Sequence, residues 1–149
     1  ADAGATIIAM PCNALQRAAA CESDRAGIPF VHMIEATIAG VRALGADAAV
    51  LIATPTTYAR GIYEGYGIEL TIPPAEVRTE LGPLIAQAVE GTAPAAAELE
   101  RVVAHARRPQ LPVIIGCTDV CGIVAAPDVI DSLGSLTARC VERLGTSAS

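Results

Sequence analysis

Two cysteines stand in the same local setting, each after an apolar run and before a residue that can begin a helix. Cys12 follows the run 6–10 and precedes Asn13, while Cys117 follows the run 112–116 and precedes Thr118. The first turn of a helix offers free N–H groups and the positive end of the helix dipole, and both stabilise a thiolate. We therefore expect the pKa of each thiol to lie below its usual value of about 8.5. A single cysteine in such a place is more often a small buried hydrophobic residue, but a matched pair favours chemistry.

Two thiols on opposite sides of a cleft suit the inversion of a carbon acid. That reaction needs a base on one face of the carbon and an acid on the other, with the roles exchanged in the reverse direction. A redox disulfide is the competing interpretation, but the sequence has no C-x-x-C motif. A zinc site is also disfavoured, because three residues separate Cys117 from Cys121 and only His32 and His105 could join them. The sequence therefore predicts neither a metal nor a cofactor.

The elements that position these thiols alternate in type along the chain. Short apolar runs alternate with longer alanine-rich stretches, which is the pattern of βαβ units. The predicted strands are 6–10, 28–32, 48–53, 68–72 and 112–116, and the predicted helices occupy about 13–26, 35–45, 56–65, 75–90, 94–107 and 132–144. Almost continuously apolar strands are typical of a mainly parallel sheet covered on both faces. Since ligands bind at the carboxyl ends of such strands, we expect both thiols to face one cleft.

Composition excludes several classes of protein. Hydrophobic residues make up 52% of the 149 residues and charged residues 17%, which disfavours disorder and suffices for a core. The net charge of −6 argues against a nucleic-acid partner, which needs a basic patch. No apolar run is long enough for a membrane helix, and an odd number of cysteines favours reduced thiols in a cytoplasmic protein. All ten basic residues are arginine, so no lysine can form an imine with pyridoxal phosphate.

Three segments resemble the aspartate/glutamate racemase family, whose members work without a cofactor and use two cysteines. The segments are Met10-Pro11-Cys12-Asn13, Thr54-Pro55-Thr56-Thr57 with Gly61 and Tyr63, and Gly116-Cys117-Thr118-Asp119. The resemblance implies two pseudo-symmetric α/β lobes with mainly parallel sheets and an active site in the cleft between them. It assigns residues 1–35 and 126–149 to the first lobe and residues 36–125 to the second.

The resemblance also shows where this sequence departs from the family. Ala14 and Gln16 replace a threonine and a histidine, no lysine stands near Val89-Glu90-Gly91, and Asp119 replaces a glutamate. Family members carry a further segment before the first cysteine strand, and nothing in this sequence matches it. We therefore expect an incomplete first lobe, to be completed by a missing N-terminal segment or by a second chain in a homodimer.

The combined interpretation is a cofactor-independent amino-acid racemase acting at the α-carbon of an acidic amino acid, of the aspartate or glutamate type. Cys12 and Cys117 exchange the proton, and the α-carboxylate of this small-molecule substrate is held by Asn13, Thr54, Thr57 and Thr118. A hydantoin racemase or a maleate isomerase is the alternative within enzymes. A non-catalytic homologue that binds a small molecule is the alternative from another class, supported by Ala14 and the missing lysine.

Overall fold

Six strands and six helices follow one another along the chain in a computed structural model that describes residues 4–92 and 96–146. The strands are β1 (Ile8–Ala9), β2 (Phe30–Val31), β3 (Ala48–Ala53), β4 (Glu69–Thr71), β5 (Val113–Gly116) and β6 (Val129–Asp131). The helices are α1 (Gln16–Ala26), α2 (Met33–Ala43), α3 (Pro55–Ala59), α4 (Ala75–Val89), α5 (Ala96–Ala106) and α6 (Ser132–Thr146). Single 3₁₀ turns at Asn13–Leu15 and Thr118–Val120 follow the two cysteines. The predicted helix 94–107 begins at residues that lie outside the described part of the chain.

The strands form two parallel sheets. In the smaller sheet β1 pairs with β2, and in the larger sheet the strand order is β4-β3-β5-β6. The expected α/β fold with mainly parallel sheets is confirmed. The predicted lobe boundaries remain a prediction, and the pairing adds that β6 extends the larger sheet beside β5.

The larger sheet is buried on both faces, as its continuously apolar strands predict. Along β3, Val50 and Ile52 point to one face, whereas Ala49, Leu51 and Ala53 point to the other. Helices α4 and α5 cover the first face and α2 covers the second. The loops that follow these strands are therefore anchored to a sheet that is packed on both faces. None of the helices in residues 4–92 and 96–146 is long and apolar enough to cross a membrane.

Two glycines should respond in opposite ways to the same substitution. Gly27 ends α1 in the left-handed region with φ of 65°, where a Cβ is unfavourable. Gly134 lies in the first turn of α6, where a Cβ would meet nothing nearer than Asp131 Oδ1 at 3.6 Å. We expect Gly27→Ala to lower the free energy of unfolding by about 1 kcal/mol and Gly134→Ala to raise it by about 0.4–1 kcal/mol. Urea unfolding of both variants checks this prediction, and changes of the same sign in the free energy of unfolding would contradict it.

Candidate active site

Both cysteines lie in the loop that follows a strand, Cys117 directly after β5 and Cys12 with two residues between it and the end of β1, and their backbones match. Cys12 has φ of −150° and ψ of 116°, and Cys117 has φ of −137° and ψ of 116°. Each is the extended residue directly before a three-residue 3₁₀ turn. Asn13 and Thr118 are the first residues of these turns, and neither turn has a side-chain cap. The predicted equivalence of the two thiols therefore holds at the level of the local backbone.

Cys117 is held as a neutral thiol. Its side chain is buried, and Sγ donates a hydrogen bond to Asp119 Oδ2 at 3.5 Å. Burial raises the pKa of the Cys117 thiol to about 11, and the negative charge of Asp119 adds to the shift. The expectation of a lowered pKa was wrong for this cysteine. A single 3₁₀ turn offers little of the dipole that a long helix has, so removal from water and a neighbouring carboxylate dominate.

Asp119→Asn should lower the pKa of Cys117. The variant removes the charge that disfavours the thiolate and leaves the burial of the sulfur unchanged, so the shift is partial. The pH dependence of Cys117 modification by a small methanethiosulfonate, read by mass spectrometry, measures it. Asp47→Asn, at an exposed position before β3, is the matched control and should leave the profile unchanged. An unaltered profile in Asp119→Asn would show that the carboxylate does not govern the thiol.

Thr54 and Thr57 lie beside the Cys117 loop. Ala53 pairs with Gly116 in the register of β3 and β5, so Thr54 and Cys117 leave neighbouring strands at the same edge. Thr54 Oγ1 accepts a hydrogen bond from the Thr57 backbone N–H at 3.2 Å and lies 3.1 Å from Thr57 Oγ1. Thr54 is thus the N-cap of α3, and the two hydroxyls form a pair at the carboxyl edge of the sheet.

Asn13 is buried and bonded at both ends of its amide. Tyr63 donates a hydrogen bond to Asn13 Oδ1 at 2.7 Å, and Asn13 Nδ2 donates to Ser132 Oγ at 3.2 Å. The three side chains come from three distant parts of the sequence, the loop after β1, the loop after α3 and the start of α6. They join the Cys12 loop to the larger sheet.

The Cys12 loop has a second anchor in Gln16. Its amide Nε2 donates to the carbonyl oxygens of Met10 at 2.6 Å and Cys12 at 2.9 Å, and its Oε1 accepts from the Met33 backbone N–H at 2.8 Å. The loop that carries Cys12 is therefore bound to the start of α2. The Cys12 side chain itself is half-buried, and α3 packs against the turn that follows it.

Two cavities of different size adjoin the larger sheet. One of about 640 Å³ lies at the amino ends of β3, β5 and β6, where Arg107, Arg108 and Asp128 line it. A cavity of about 280 Å³ lies under the loop after α3, where Thr57 and Tyr63 line it together with Leu51 of β3 and Leu70 of β4. We place the candidate site at the carboxyl ends of β3 and β5, because ligands of open parallel sheets bind outside the carboxyl ends of strands. Within the described residues, no three His, Cys, Asp or Glu side chains come together as a metal site.

Comparison with known families decides the class of this chain. The model of the Asp/Glu/Hydantoin racemase family matches residues 1–138. The chain belongs to the Asp/Glu/Hydantoin racemase family. The resemblance inferred from the three sequence segments is confirmed, and the family supports amino-acid racemase activity.

Solved structures similar to this racemase-family chain share its fold. A candidate Asp/Glu racemase from Yersinia pestis superposes with a TM-score of 0.77 at 25% identity, over 96% of this chain and 68% of the other. An aspartate racemase from Picrophilus torridus gives a TM-score of 0.70 at 25% identity, over 97% of this chain and 64% of the other. A glutamate racemase from Francisella tularensis, solved with D-glutamate, gives 0.62 at 19% identity over 98% and 60%, and supports the fold alone.

Three residues of the site were missed as functional candidates. Tyr63 was noted only as part of a motif, Gln16 as a departure from the family, and Ser132 as the first residue of the predicted helix 132–144. All three side chains are buried: Gln16 and Ser132 begin helices α1 and α6, and Tyr63 lies in the loop after α3. Their hydrogen-bond partners are distant in the sequence, apart from the two carbonyls bound by Gln16, so sequence spacing carries almost no signal for them.

Proposed function

We propose that this chain inverts the α-carbon of an acidic amino acid without a cofactor, with Cys12 and Cys117 as the two acid–base groups. The observation that carries the proposal is the matched backbone of the two cysteines, each extended between a parallel strand and a 3₁₀ turn. A racemase treats two mirror-image substrates alike, and two equivalent proton carriers fit that requirement. The sequence contains no lysine for a pyridoxal imine, which supports direct proton transfer.

The neutral state of the Cys117 thiol supports different roles for the two cysteines in the first proton transfer. In one direction a Cys12 thiolate removes the α-proton while the Cys117 thiol delivers its own proton to the opposite face. One C–H and one S–H bond break and one of each forms, so the charge is conserved. In the reverse direction the roles exchange: the Cys117 thiolate left by the forward step removes the α-proton, while the Cys12 thiol delivers its own proton to the opposite face.

The α-carboxylate needs donors that also stabilise the charge that develops on it as the proton leaves. The hydroxyls of Thr54 and Thr57 lie at the sheet edge beside the Cys117 loop, and half-buried Thr118 follows Cys117 directly. Asn13 donates one amide hydrogen to Ser132 and has a second one left. These four residues are our proposed carboxylate site.

The proposal also specifies that the substrate has an acidic side chain. Arg17 and Asn13 line a cavity of about 120 Å³ next to the Cys12 loop. A guanidinium can bind a carboxylate with two parallel hydrogen bonds, so Arg17 is the cation that would select aspartate or glutamate in this lysine-free sequence.

Solvent deuterium incorporation tests the proposed function directly. Each enantiomer of aspartate, glutamate and alanine, together with a substituted hydantoin, is incubated with the protein in D₂O and followed by NMR and chiral chromatography. We expect deuterium at Cα of an acidic amino acid together with its inversion. Exchange on the hydantoin alone would favour a hydantoin racemase, and exchange on alanine alone would contradict the acidic specificity. If no compound in the panel exchanges or inverts, the proposal of an amino-acid racemase fails.

Assembly with a second copy is a further proposal. Among the described strands β1 pairs only with β2, so its outer edge is open to another strand. A homodimer, or a further segment of the same protein, would cover that edge. Light scattering coupled to size-exclusion chromatography tests the first option, and a monomer over the whole accessible concentration range would contradict it.

A further inference from the structure

Tyr63 contacts the residues next to both candidate catalytic cysteines. Its hydroxyl donates to Asn13 Oδ1 at 2.7 Å, and Asn13 directly follows Cys12. On the other side it lies against Gly116, which directly precedes Cys117. A Cβ at Gly116 would come within 3.3 Å of both Tyr63 Cε2 and the phenol oxygen, and within 3.0 Å of Leu51 Cδ1. The absence of a side chain at Gly116 therefore allows this close approach.

The phenol is enclosed, and the side chains of Thr37 and Ser132 also lie within hydrogen-bonding reach of its hydroxyl. Tyr63 is 1% exposed, and its contact with Asn13 determines which end of the amide accepts. With Oδ1 engaged by Tyr63, the amide nitrogen is directed at Ser132 Oγ. Ser132 Oγ in turn lies 3.7 Å from Cys121 Sγ. These contacts form a buried polar chain from the larger sheet to the Cys12 loop.

We propose that Tyr63 is a positioning residue that sets the separation and relative orientation of the two thiol loops. The inference rests on the proposed function, since it concerns the alignment of Cys12 with Cys117. Tyr63 does not exchange a proton with the substrate: burial raises its pKa above the ordinary phenol value, so the hydroxyl stays protonated. Its effect on the reaction is geometric and passes through Asn13 on one side and Gly116 on the other.

The alignment of the two thiols with the α-carbon affects inversion but not one-sided exchange. Inversion needs both thiols in line with the α-carbon, because one removes the proton and the other delivers a new one to the opposite face. Exchange with retention needs only one thiol, which removes the proton, exchanges it with solvent and returns a deuteron to the same face. The ratio of inverted to retained deuterated amino acid therefore reports on alignment, whereas a general loss of folded protein lowers both products equally.

Tyr63→Phe tests the inference, with Tyr58→Phe as the matched control. Tyr63→Phe keeps the ring and removes the bond to Asn13, so we expect the inversion-to-retention ratio in D₂O to fall about 10- to 100-fold. Tyr58, on α3, is a comparable phenol that packs against the same face of the larger sheet. It donates to Leu51 O at 2.9 Å and accepts from Ala53 N at 2.8 Å, without contacting Asn13. The Tyr58→Phe variant should keep the wild-type ratio of inversion to retention.

Ser132→Ala is a second test, at the other end of the Asn13 amide. It should lower the inversion-to-retention ratio as Tyr63→Phe does, and it serves in place of Tyr63→Phe if that variant does not fold.

A second readout separates this inference from the proposed function. The bifunctional thiol reagent dibromobimane joins two nearby cysteines, and mass spectrometry identifies the Cys12–Cys117 peptide pair without any need for activity. We expect the wild-type chain to form this cross-link and Tyr63→Phe to form it several-fold more slowly. A wild-type ratio and a wild-type cross-linking rate in Tyr63→Phe would overturn the positioning role alone. A wild-type chain that neither cross-links these cysteines nor inverts any substrate would overturn the proposed function, and the inference with it.

Discussion

Cys117→Ala and Cys12→Ala are each expected to abolish racemisation, with turnover lowered by about 10²–10⁴-fold. Neither direction can proceed when one face of the α-carbon has no proton carrier. The Ala variants and the corresponding Ser variants are all expected to lose inversion but to retain one-sided exchange, because the remaining thiol can still remove a proton and return one to the same face. Chiral chromatography of both enantiomers, with NMR of the deuterium content in D₂O, separates the two outcomes.

Cys21→Ala is the matched control for these substitutions. Cys21 is an exposed free cysteine on α1, and its loss should leave racemisation within the error of the assay. A Cys117→Ala chain that racemises at a rate comparable to the wild type would contradict the two-thiol mechanism, whatever the fate of the Cys12 variants.

Leu99→Ala should remove about 2.7–5 kcal/mol from the free energy of unfolding. Leu99 is fully buried on α5, where it packs between β3, β5 and α4. Its truncation would leave a cavity between the sheet and the helices, because the surrounding packed elements do not move in to fill it. Since small domains are stable by only about 5–15 kcal/mol, this loss would be visible as a much lower urea midpoint.

Leu144→Ala makes the same chemical change at a half-exposed site on α6. Leu144 is 50% exposed, so its truncation should cost less than about 1 kcal/mol. Equal losses in the two variants would show that the face between the larger sheet and α5 is not the main core.

The elements that follow from an uninterrupted local pattern were predicted well. The run 48–53 is β3 with the same bounds, because six apolar residues in succession suit a strand covered on both faces. Helix α5 buries Leu99, Val102, Val103 and Ala106, the helical spacing visible in the sequence.

Elements that depend on distant partners were predicted less well. Strand β6 was missed because it has three residues, one of them Asp131, and becomes a strand only by pairing with β5. The helix predicted at 56–65 ends at Ala59, since the chain then turns through Gly61 with φ of 54°.

The same contrast applies to the site. The position of each cysteine after a strand and before a helical turn is a local property, and it could be inferred from the neighbouring residues. The protonation of Cys117 could not, because it depends on how deeply the sulfur is buried once β5 is covered. The partners of Asn13 were equally hidden, since Tyr63 and Ser132 reach it only in the folded chain.

The strand order of the larger sheet has a consequence for how the chain reaches its native state. Strand β3 gains its second neighbour, β5, only after α3, β4, α4 and α5 have been synthesised, and β6 completes the sheet later still. Sequence-distant pairing of this kind slows folding, because chain entropy is lost before the contacts that compensate for it are made. During translation the apolar face of β3 that α4 and α5 will cover is therefore exposed for a time. We expect chaperones to be needed to shield this face of the nascent chain until residues near Asp131 have left the ribosome.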